Sequence, residues 1–274
     1  MFRRLVASSV LLAFASLAHA EPPGVDWRLV WADEFDIDGR PDPAKWGFER
    51  GFVRNRELQW YQPENAWVEG GNLVIEGRRE RKRVDASASH PESRRRRVAE
   101  YTSASLKTKG KFTWRYGRME VRAKIPAEPG MWPAIWTLGE RGRWPSNGEV
   151  DLMEFYRGMI LANAAHRGPD GKIVWDAVRV PIEEFGDGWA DDFHTWRMDW
   201  NADRMELSVD GRVLNTTDYA NLEYRGDVHP FRQPHYVLLN LAIGGINGGD
   251  PTDTPMPQRY LVDYVRVYEP AKED

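Results

Sequence analysis

The sequence predicts an all-β protein built from two stacked antiparallel sheets. Three observations favour this class: short segments rich in β-branched or aromatic residues recur along the 274 residues, several of them alternate polar and apolar positions, and 18 prolines and 24 glycines are available to separate them. Short strands divided by turns are typical of a β-sandwich or jelly roll, and one all-β domain commonly reaches this length. Because no repeat, linker or low-complexity segment divides the chain, one domain over residues 21–274 is expected.

The individual strands are predicted from these patterns. Candidate strands lie at residues 73–76, 112–115, 118–124, 196–200, 205–209 and 236–241. Alternation in the segment 118–124 predicts a half-exposed strand with Arg118, Glu120, Arg122 and Lys124 on one face. The sequence Asp-Gly at 210–211 predicts a hairpin turn. Only the segment 181–185 has the character of a helical turn.

Residues 1–20 predict a signal peptide. Arg3 and Arg4 precede an apolar run that ends at Leu17, and residues 18–20 fit a small-x-small cleavage site. A membrane anchor is the weaker alternative because the apolar run is short for a bilayer span. We therefore expect a mature chain that begins near Glu21, lies outside the membrane, and is secreted or periplasmic.

Composition narrows the set of partners. The net charge is −4, and without a global basic excess nucleic acid is not an expected partner. The chain has no cysteine, so an exported protein would fold without disulfides. Its 13 tryptophans either fill the core or present flat apolar faces that stack on sugar rings.

Three carboxylates lie close together at Glu149, Asp151 and Glu154, with apolar residues between them. In a regular strand Glu154 would point to the face opposite Glu149, into the core, where a lone carboxylate is very costly. One extra residue, a β-bulge near Leu152 and Met153, returns Glu154 to the face of Glu149. The spacing therefore predicts a bulged strand with a row of three acids on one face.

A row of acids has the chemistry that glycoside hydrolysis requires. Repulsion raises at least one pKa, so that one carboxyl donates a proton to the leaving oxygen while an ionised one attacks the anomeric carbon or activates water. The close spacing favours a retaining enzyme, whose carboxyls lie about 5–5.5 Å apart. A solvated acidic face and a divalent-cation site are the alternatives. Trp132, Trp136 and Trp144 precede the strand and favour catalysis, because a sugar cleft combines acids with aromatic walls.

The motif at 148–154 resembles the signature of glycoside hydrolase family sixteen in its bulged E-x-D-x-x-E form, typical of laminarinases. Further segments resemble the family in the expected order, at residues 31–35, 57–61, 101–104, 130–136, 239–245 and 262–268. The resemblance implies a concanavalin-like β-jelly roll with a concave substrate cleft. It also implies that Glu149 is the nucleophile, Glu154 the acid/base and Asp151 a hydrogen-bond partner of the nucleophile. The spacing alone leaves open which glutamate has which role.

The resemblance also implies a set of substrate-binding residues. The three tryptophans named above fall at aromatic subsite positions, and five polar residues match positions that line the cleft: Asn55, Glu120, Arg122, Asn163 and Asn240. Glu120 and Arg122 have the alternative of a surface ion pair, which would contribute little to stability.

A structural calcium ion is a further expectation from the resemblance, although catalysis itself needs no cofactor. The matching positions are Glu34 and Gly71, through backbone oxygens, and Asp263. Oxygen ligands suit calcium, and such a clip would help a chain without disulfides. The absence of a metal is an equal alternative.

Two stretches fit the resemblance less well. Between Tyr156 and Pro181 the laminarinase pattern is poorly reproduced, which weakens laminarin as the substrate; small residues there suggest a reshaped cleft floor, and His166 is expected to pack in the interior rather than face the cleft. Residues 78–97 contain nine basic side chains. This basic stretch is a solvated surface loop or a contact for an anionic polysaccharide.

The sequence thus predicts a secreted, retaining endo-glycosidase that hydrolyses β-1,3 or mixed β-1,3/1,4-glucan, acts as a monomer, and has the polysaccharide as its partner. A hydrolase of a marine galactan of the agar or carrageenan type, or a transglycosylase, is the alternative. A lectin on the same fold is disfavoured because both glutamates are present.

Overall fold

The computed structural model describes residues 26–85 and 96–271. The signal peptide expected at residues 1–20 and the middle of the basic stretch, residues 86–95, lie outside the described residues. The described strands and helix are β1 (Trp27–Asp33), β2 (Gly47–Phe48), β3 (Gln59–Tyr61), β4 (Ala66–Glu69), β5 (Asn72–Arg83), β6 (Val98–Ser103), β7 (Ser105–Lys107), β8 (Gly117–Lys124), β9 (Met131–Gly139), β10 (Glu149–Tyr156), β11 (Met159–Arg167), β12 (Ile173–Pro181), β13 (His194–Trp200), β14 (Arg204–Val209), β15 (Arg212–Asp218), β16 (His235–Ile243), α1 (Gly245–Gly248) and β17 (Gln258–Pro270). Short 3₁₀ turns lie at Pro63–Asn65, Ile182–Phe185 and Trp189–Asp191.

These strands form two sheets. The seven-stranded sheet has the order β12-β11-β10-β9-β16-β7-β2. The ten-stranded sheet has the order β15-β14-β13-β8-β17-β5-β6-β3, with β1 paired to β17 and β4 paired to β5. All described pairings are antiparallel except that of β3 with β6. The all-β sandwich predicted from the sequence is confirmed.

The core lies between the two sheets and follows from the period of two along each strand. In β8, Met119, Val121 and Ala123 are buried in the core, while Glu120 and Arg122 remain partly exposed on the other face. The seven-stranded sheet contributes its own apolar face to the same cluster. Alternating side chains therefore give each sheet one buried face and one face that is free for other contacts.

One predicted strand is wrong. Residues 112–115 form no strand, and only Trp114 makes an isolated bridge, to His235. The hydroxyl group of Thr108 closes a turn by donating to the carbonyl of Phe112, while the Phe112 ring stacks on Trp31 at 4.7 Å. The aromatic residues that suggested a strand are thus used in ring packing instead. The hairpin at residues 210–211 and the helical turn near residue 182 are both present.

Helices contribute little to the described part of the chain. The only α-helix there, α1, has four residues and follows β16. No helix among the described residues is long and apolar enough to cross a membrane.

Candidate active site

Strand β10 carries the acid row, which we define as Glu149, Asp151 and Glu154. The pairing register with β11 shifts between Asp151 and Glu154, and that with β9 shifts between Asp151 and Met153. The shift is the β-bulge that the sequence predicts. Because Leu152 and Met153 both point into the core, all three acids face away from it.

The residue before the acid row fixes how the chain enters β10. Gly148 has a φ of +76°, and a Cβ atom there would lie 2.7 Å from the carbonyl oxygen of Pro230. Only glycine combines this left-handed backbone with so close an approach. Gly148 therefore ends the loop that carries Trp144 and starts the strand at Glu149.

The acid row lies on the floor of a cleft of about 1070 Å³. The cleft extends across the seven-stranded sheet, from the loop at residues 54–57 on one side to the edge strand β12 on the other. Its lining includes all three predicted tryptophans and three of the predicted polar residues: Trp132, Trp136, Trp144, Asn55, Asn163 and Asn240.

Two side chains hold Glu154. The indole of Trp132 donates a hydrogen bond to its Oε1 at 2.7 Å, and the amide of Asn163 lies 3.3 Å from its Oε2. The same amide lies 3.4 Å from Oδ2 of Asp151. Asn163 thus bridges two members of the acid row and fixes their relative position.

The protonation of the acid row follows from its surroundings. Burial, and then the charge of Glu154, raises the pKa of Glu149 to about 7, against the effects of the Arg54 charge and the Trp144 indole. Burial likewise raises the pKa of Glu154 to about 7, although the Trp132 hydrogen bond acts in the opposite direction. Burial and both glutamates raise the pKa of Asp151 well above its usual range. The row therefore retains protons near neutral pH.

A hydrogen-bonded chain holds the wall beside the acid row. The indole of Trp136 donates to Oδ1 of Asn240 at 2.7 Å, and the amide of Asn240 donates to the hydroxyl of Tyr61 at 3.1 Å. The guanidinium of Arg54 lies over the Trp136 ring, 4.9 Å from its centroid. Trp136 is consequently fixed in place before any substrate binds.

Sequence reasoning missed the importance of Arg54 and Glu57. Both line the cleft; Arg54 forms an ion pair with Glu49, and Glu57 accepts a hydrogen bond from the Gln59 amide at 2.7 Å. Burial raises the pKa of Glu57. The segment 57–61 resembles the family as a whole, and the alternation of Glu57 and Gln59 within it is the signal that would place both side chains on one face.

Strand β12 was missed as well. Trp175, Ala177 and Arg179 occupy alternate positions on it and line the cleft. The alternation of side chains in the segment 173–181 was the signal for a strand with these residues on one face.

The structure does not bring Glu120 and Arg122 to the cleft, so their expected contact with substrate is wrong. Both lie on β8 in the ten-stranded sheet, whereas the acid row is on the opposite sheet. Arg122 forms an ion pair with Asp263 and lies over the Phe193 ring at 4.8 Å. The alternation of residues in β8 correctly predicts which side chains lie on its polar face, but it does not reveal which of the two sheets the strand joins.

The three expected calcium positions do come together. Val262 pairs with Leu73 and Val265 pairs with Asp33, so Asp263 lies on β17 where the ends of β5, after Gly71, and β1, before Glu34, meet. Of the expected ligand groups, the Asp263 carboxylate is already engaged, because it forms an ion pair with Arg122. Within the described residues, no group of three or more acidic or histidine side chains is arranged to hold a metal ion.

Other expectations concern the surface and the interior. None of the described residues of the basic stretch lines the cleft. Arg96 instead donates hydrogen bonds to the backbone oxygens of Glu57 and Leu58, which supports the loop at 54–57.

His166 is buried against Phe231, as expected, and Ala162 and Ala164 belong to the core rather than to the cleft floor.

An acid row on the floor of an open cleft with aromatic walls, in a two-sheet β-sandwich, defines a glycoside hydrolase. Comparisons with known proteins extend this assignment. Residues 70–266 match the family model of Glycosyl hydrolases family 16. This chain belongs to glycoside hydrolase family 16, as the sequence motifs indicate.

Several relatives have names or structures. The chain is 37% identical over 263 residues to a beta-glucanase of Rhodothermus marinus, covering 88% of this chain and 85% of that protein. The laminarinase catalytic domain of Thermotoga petrophila RKU-1 is 37% identical, with a TM-score of 0.75 and coverage of 91% and 100%. A structure reported for endo-acting O-glycanases, which members of the human gut microbiota express to initiate mucin breakdown, is 35% identical, with a TM-score of 0.81 and coverage of 91% and 92%. Other relatives are longer, and the chain spans only 39% of a glucan endo-1,3-beta-glucosidase of Niallia circulans.

Proposed function

We propose that this chain hydrolyses internal β-1,3 or mixed β-1,3/1,4 bonds of a glucan and retains the anomeric configuration. The observation that carries the proposal is the acid row on the floor of a cleft that continues on both sides of β10. A polysaccharide can pass through such a cleft, which favours internal cleavage. The glucanase names of similar proteins support glucan as the substrate.

The surroundings of the two glutamates support distinct roles. Burial raises the pKa of both glutamates to about 7. Beyond this shared cause, the Arg54 charge favours the ionised form of Glu149, as a nucleophile requires. The Glu57 charge favours the protonated form of Glu154, as a general acid requires, against the Trp132 and Asn163 hydrogen bonds and the Arg179 charge.

In the first step Glu149 attacks the anomeric carbon and forms a glycosyl ester while the glycosidic C–O bond breaks, and Glu154 gives its proton to the leaving oxygen, so that the rest of the chain departs as an alcohol. In the second step Glu154 takes a proton from water, which attacks the same carbon and releases Glu149. The pKa of Asp151, raised by burial and by both glutamates, supports its role as a protonated hydrogen-bond donor to the Glu149 carboxylate.

Azide distinguishes the two roles. In Glu149→Ala, azide enters from the face that the nucleophile has vacated, so the product expected from an activated β-glucoside is an α-glycosyl azide. In Glu154→Ala, azide attacks the covalent intermediate, and a β-glycosyl azide is expected. Proton NMR of the products identifies each anomer, and the opposite result would exchange the two assignments.

Glucan hydrolysis itself is tested by reducing-sugar release from laminarin and lichenan, with NMR of the first-formed anomer. Products with the β configuration are expected. Release of α products would contradict the retaining mechanism. The appearance of oligosaccharides longer than the substrate would instead favour the transglycosylase alternative.

A galactose-containing polysaccharide is the second candidate substrate. The similarity to a keratan-sulfate endo-1,4-beta-galactosidase of Sphingobacterium multivorum favours it, and the similarity to the structure reported for mucin breakdown adds mucin to the candidates. Agarose, carrageenan and mucin belong in the same panel for this reason. Cleavage of one of these without cleavage of laminarin or lichenan would replace glucan by galactan in the proposal.

Export and a structural calcium ion also belong to the proposal. Signal cleavage after Ala20 is supported by the n-region, the apolar run and the cleavage site in residues 1–20. N-terminal sequencing of the protein recovered from the periplasm or medium should begin at Glu21.

The convergence of Glu34, Gly71 and Asp263 supports a bound calcium ion, which would have to displace Arg122 from Asp263.

A further inference from the structure

Strand β12 forms a second wall of the cleft, and its residues have no role in the proposed cleavage by the acid row. Register places Trp175 beside Ala165, Ala177 beside Asn163 and Arg179 beside Leu161. The same residues of β11 pair with the acid row, so β12 runs alongside it two strand spacings away, at about 10 Å. A sugar on β12 is therefore separate from the one whose bond breaks.

This wall combines a platform with a cation. Trp175 is 47% exposed, although it is large and apolar, so its ring is available for stacking on a sugar. Ala177 lies between Trp175 and Arg179, and its small side chain does not obstruct a sugar that contacts both of them. The guanidinium of Arg179 makes no hydrogen bond and no ion pair with the residues that the structure describes, although its charge acts on the carboxyl of Glu154 across the cleft floor and lowers its pKa.

The other cleft arginines are already in use. Arg54 is half-buried, forms an ion pair with Glu49 and stacks on Trp136. Arg56 also interacts with other residues. Arg179 thus differs from both, because it faces the cleft and its donors stay unoccupied within the described part of the protein.

The wall is held in place from behind. Asp176, between Trp175 and Ala177, points to the other face of β12 and accepts a hydrogen bond from the hydroxyl of Thr217 at 2.7 Å. The amide of Asn215 lies 3.4 Å from its Oδ1 and donates to the Ala162 carbonyl at 3.0 Å. An edge strand paired on one side only is thereby tied to the opposite sheet, which positions the cleft face of β12 in advance.

We propose that Trp175, Ala177 and Arg179 form a sugar subsite that accepts an anionic substituent, a sulfate ester or a carboxylate, on the bound polysaccharide. This inference rests on the proposed polysaccharide hydrolysis and adds a charge preference at one subsite. Guanidinium groups bind sulfate and carboxylate through paired, charge-assisted hydrogen bonds, which neutral hydroxyls match less well. The acid row would otherwise repel a charged chain, and Arg179 offsets this repulsion at the wall.

Binding of matched neutral and charged polysaccharides tests the subsite. The probes are laminarin, sulfated laminarin and carboxymethylated laminarin, and, as a second backbone, desulfated and intact carrageenan. Affinities are measured calorimetrically in the inactive Glu149→Gln protein, with and without Arg179→Gln. We expect Arg179→Gln to weaken binding of the charged polysaccharides about tenfold and binding of their neutral counterparts less than about threefold. The sulfated and carboxymethylated probes distinguish the two anions.

Two matched variants control for overall charge. Lys172→Gln removes one cation at the start of β12, and Arg81→Gln removes an exposed cation of the basic stretch. Neither lines the cleft, so both should leave the preference for charged probes unchanged. An equal loss in these variants, an equal loss on neutral and charged probes in Arg179→Gln, or no preference for charged probes in the parent would each overturn the inference. Failure of the proposed glucan substrate gives a different result from failure of the subsite. If glucan is not the substrate, the protein binds the carrageenan probes but none of the laminarin probes.

Discussion

The two sheets carry carboxylates in opposite surroundings. On the ten-stranded sheet, Asp199 meets Arg118 at 2.7 Å, and Glu34, directly after the end of β1, meets Arg266 of β17 at 2.7 Å. The hydrogen bond and charge of Arg266 hold the pKa of Glu34 below its ordinary value. On the seven-stranded sheet, the acid row has no ion pair with any described residue and is held by an indole and an amide instead.

The difference shows what turns acids on a strand into a reactive site. Asp199 and the acid row both face away from the shared core, as alternation requires. On the ten-stranded sheet a cation on a neighbouring strand neutralises each of these carboxylates, so the result is a local contribution to stability. On the seven-stranded sheet burial and mutual repulsion instead raise the pKa values of the acid row. These carboxyls therefore keep protons near neutral pH, and their burial lowers the stability of the folded protein.

The largest expected effect is a loss of activity when a glutamate of the acid row is replaced, in contrast to a glutamate of the ten-stranded sheet. Glu149→Gln and Glu154→Gln should each reduce kcat at least about 10⁴-fold, because a proton donor or nucleophile is removed. Glu120→Gln is the matched control on the ten-stranded sheet, and its kcat and KM should equal those of the wild type. Initial rates of reducing-sugar release measure all three. Activity within tenfold of wild type in either cleft variant would refute its catalytic role.

A smaller effect is expected for the middle acid. Asp151→Asn keeps the size and the neutral state of the protonated Asp151 but replaces its O–H donor by a weaker amide donor and removes a titrating group, so kcat should fall about 10- to 100-fold with little change in KM. The pH profile of kcat should shift as well, because Asp151 and the glutamates titrate together. An unchanged kcat and pH profile would remove Asp151 from the mechanism.

The raised pKa values also predict a pH-dependent stability. The folded-state pKa of Glu154, about 7, lies above its ordinary value of 4.5, so the folded protein binds more protons than the unfolded chain between these values. Its contribution is complete below pH 4.5 and is lost as the pH rises to about 7. Glu154→Gln mimics the protonated form, and its Tm should exceed that of wild type by roughly 2 to 6 °C at pH 8.

The same comparison at pH 4 is the internal control. The two proteins should melt at nearly the same temperature there, because Glu154 is then protonated in both states. A Tm difference that is equal at pH 4 and pH 8, or that has the opposite sign at pH 8, would contradict the raised pKa.

The smallest effect is expected for a partly exposed pair on the ten-stranded sheet. Arg122→Gln removes the partner of Asp263 and should lower the free energy of unfolding by less than about 1 kcal/mol, with a smaller effect at high salt. It also frees Asp263 for a cation. Calcium should therefore raise the Tm of Arg122→Gln more than that of wild type, and an identical response to calcium and to chelator in both proteins would argue against the proposed calcium site.

Local patterns in the sequence accounted for much of the site. The spacing of Glu149, Asp151 and Glu154 required a bulge, since otherwise a carboxylate would lie in the core, and the register shows that bulge. The same local reasoning failed for Phe112, whose ring packs on Trp31, because a preference for strands cannot reveal a tertiary partner. It failed for Arg122 because alternation gives a face without saying which sheet provides it.

The sequence by itself determined the all-β class, the bulged strand, the acid row and the family, because each depends on residues that are close along the chain or on motifs in a fixed order. Only the tertiary structure decided which surfaces become the cleft. It brought Arg54 and Glu57 to one side of the acid row and Trp175 and Arg179 to the other, and it left Glu120 on the far sheet. The physical reason is that burial and charge pairing depend on strands that are distant in sequence, and these set both the pKa of a carboxylate and the partners of an arginine.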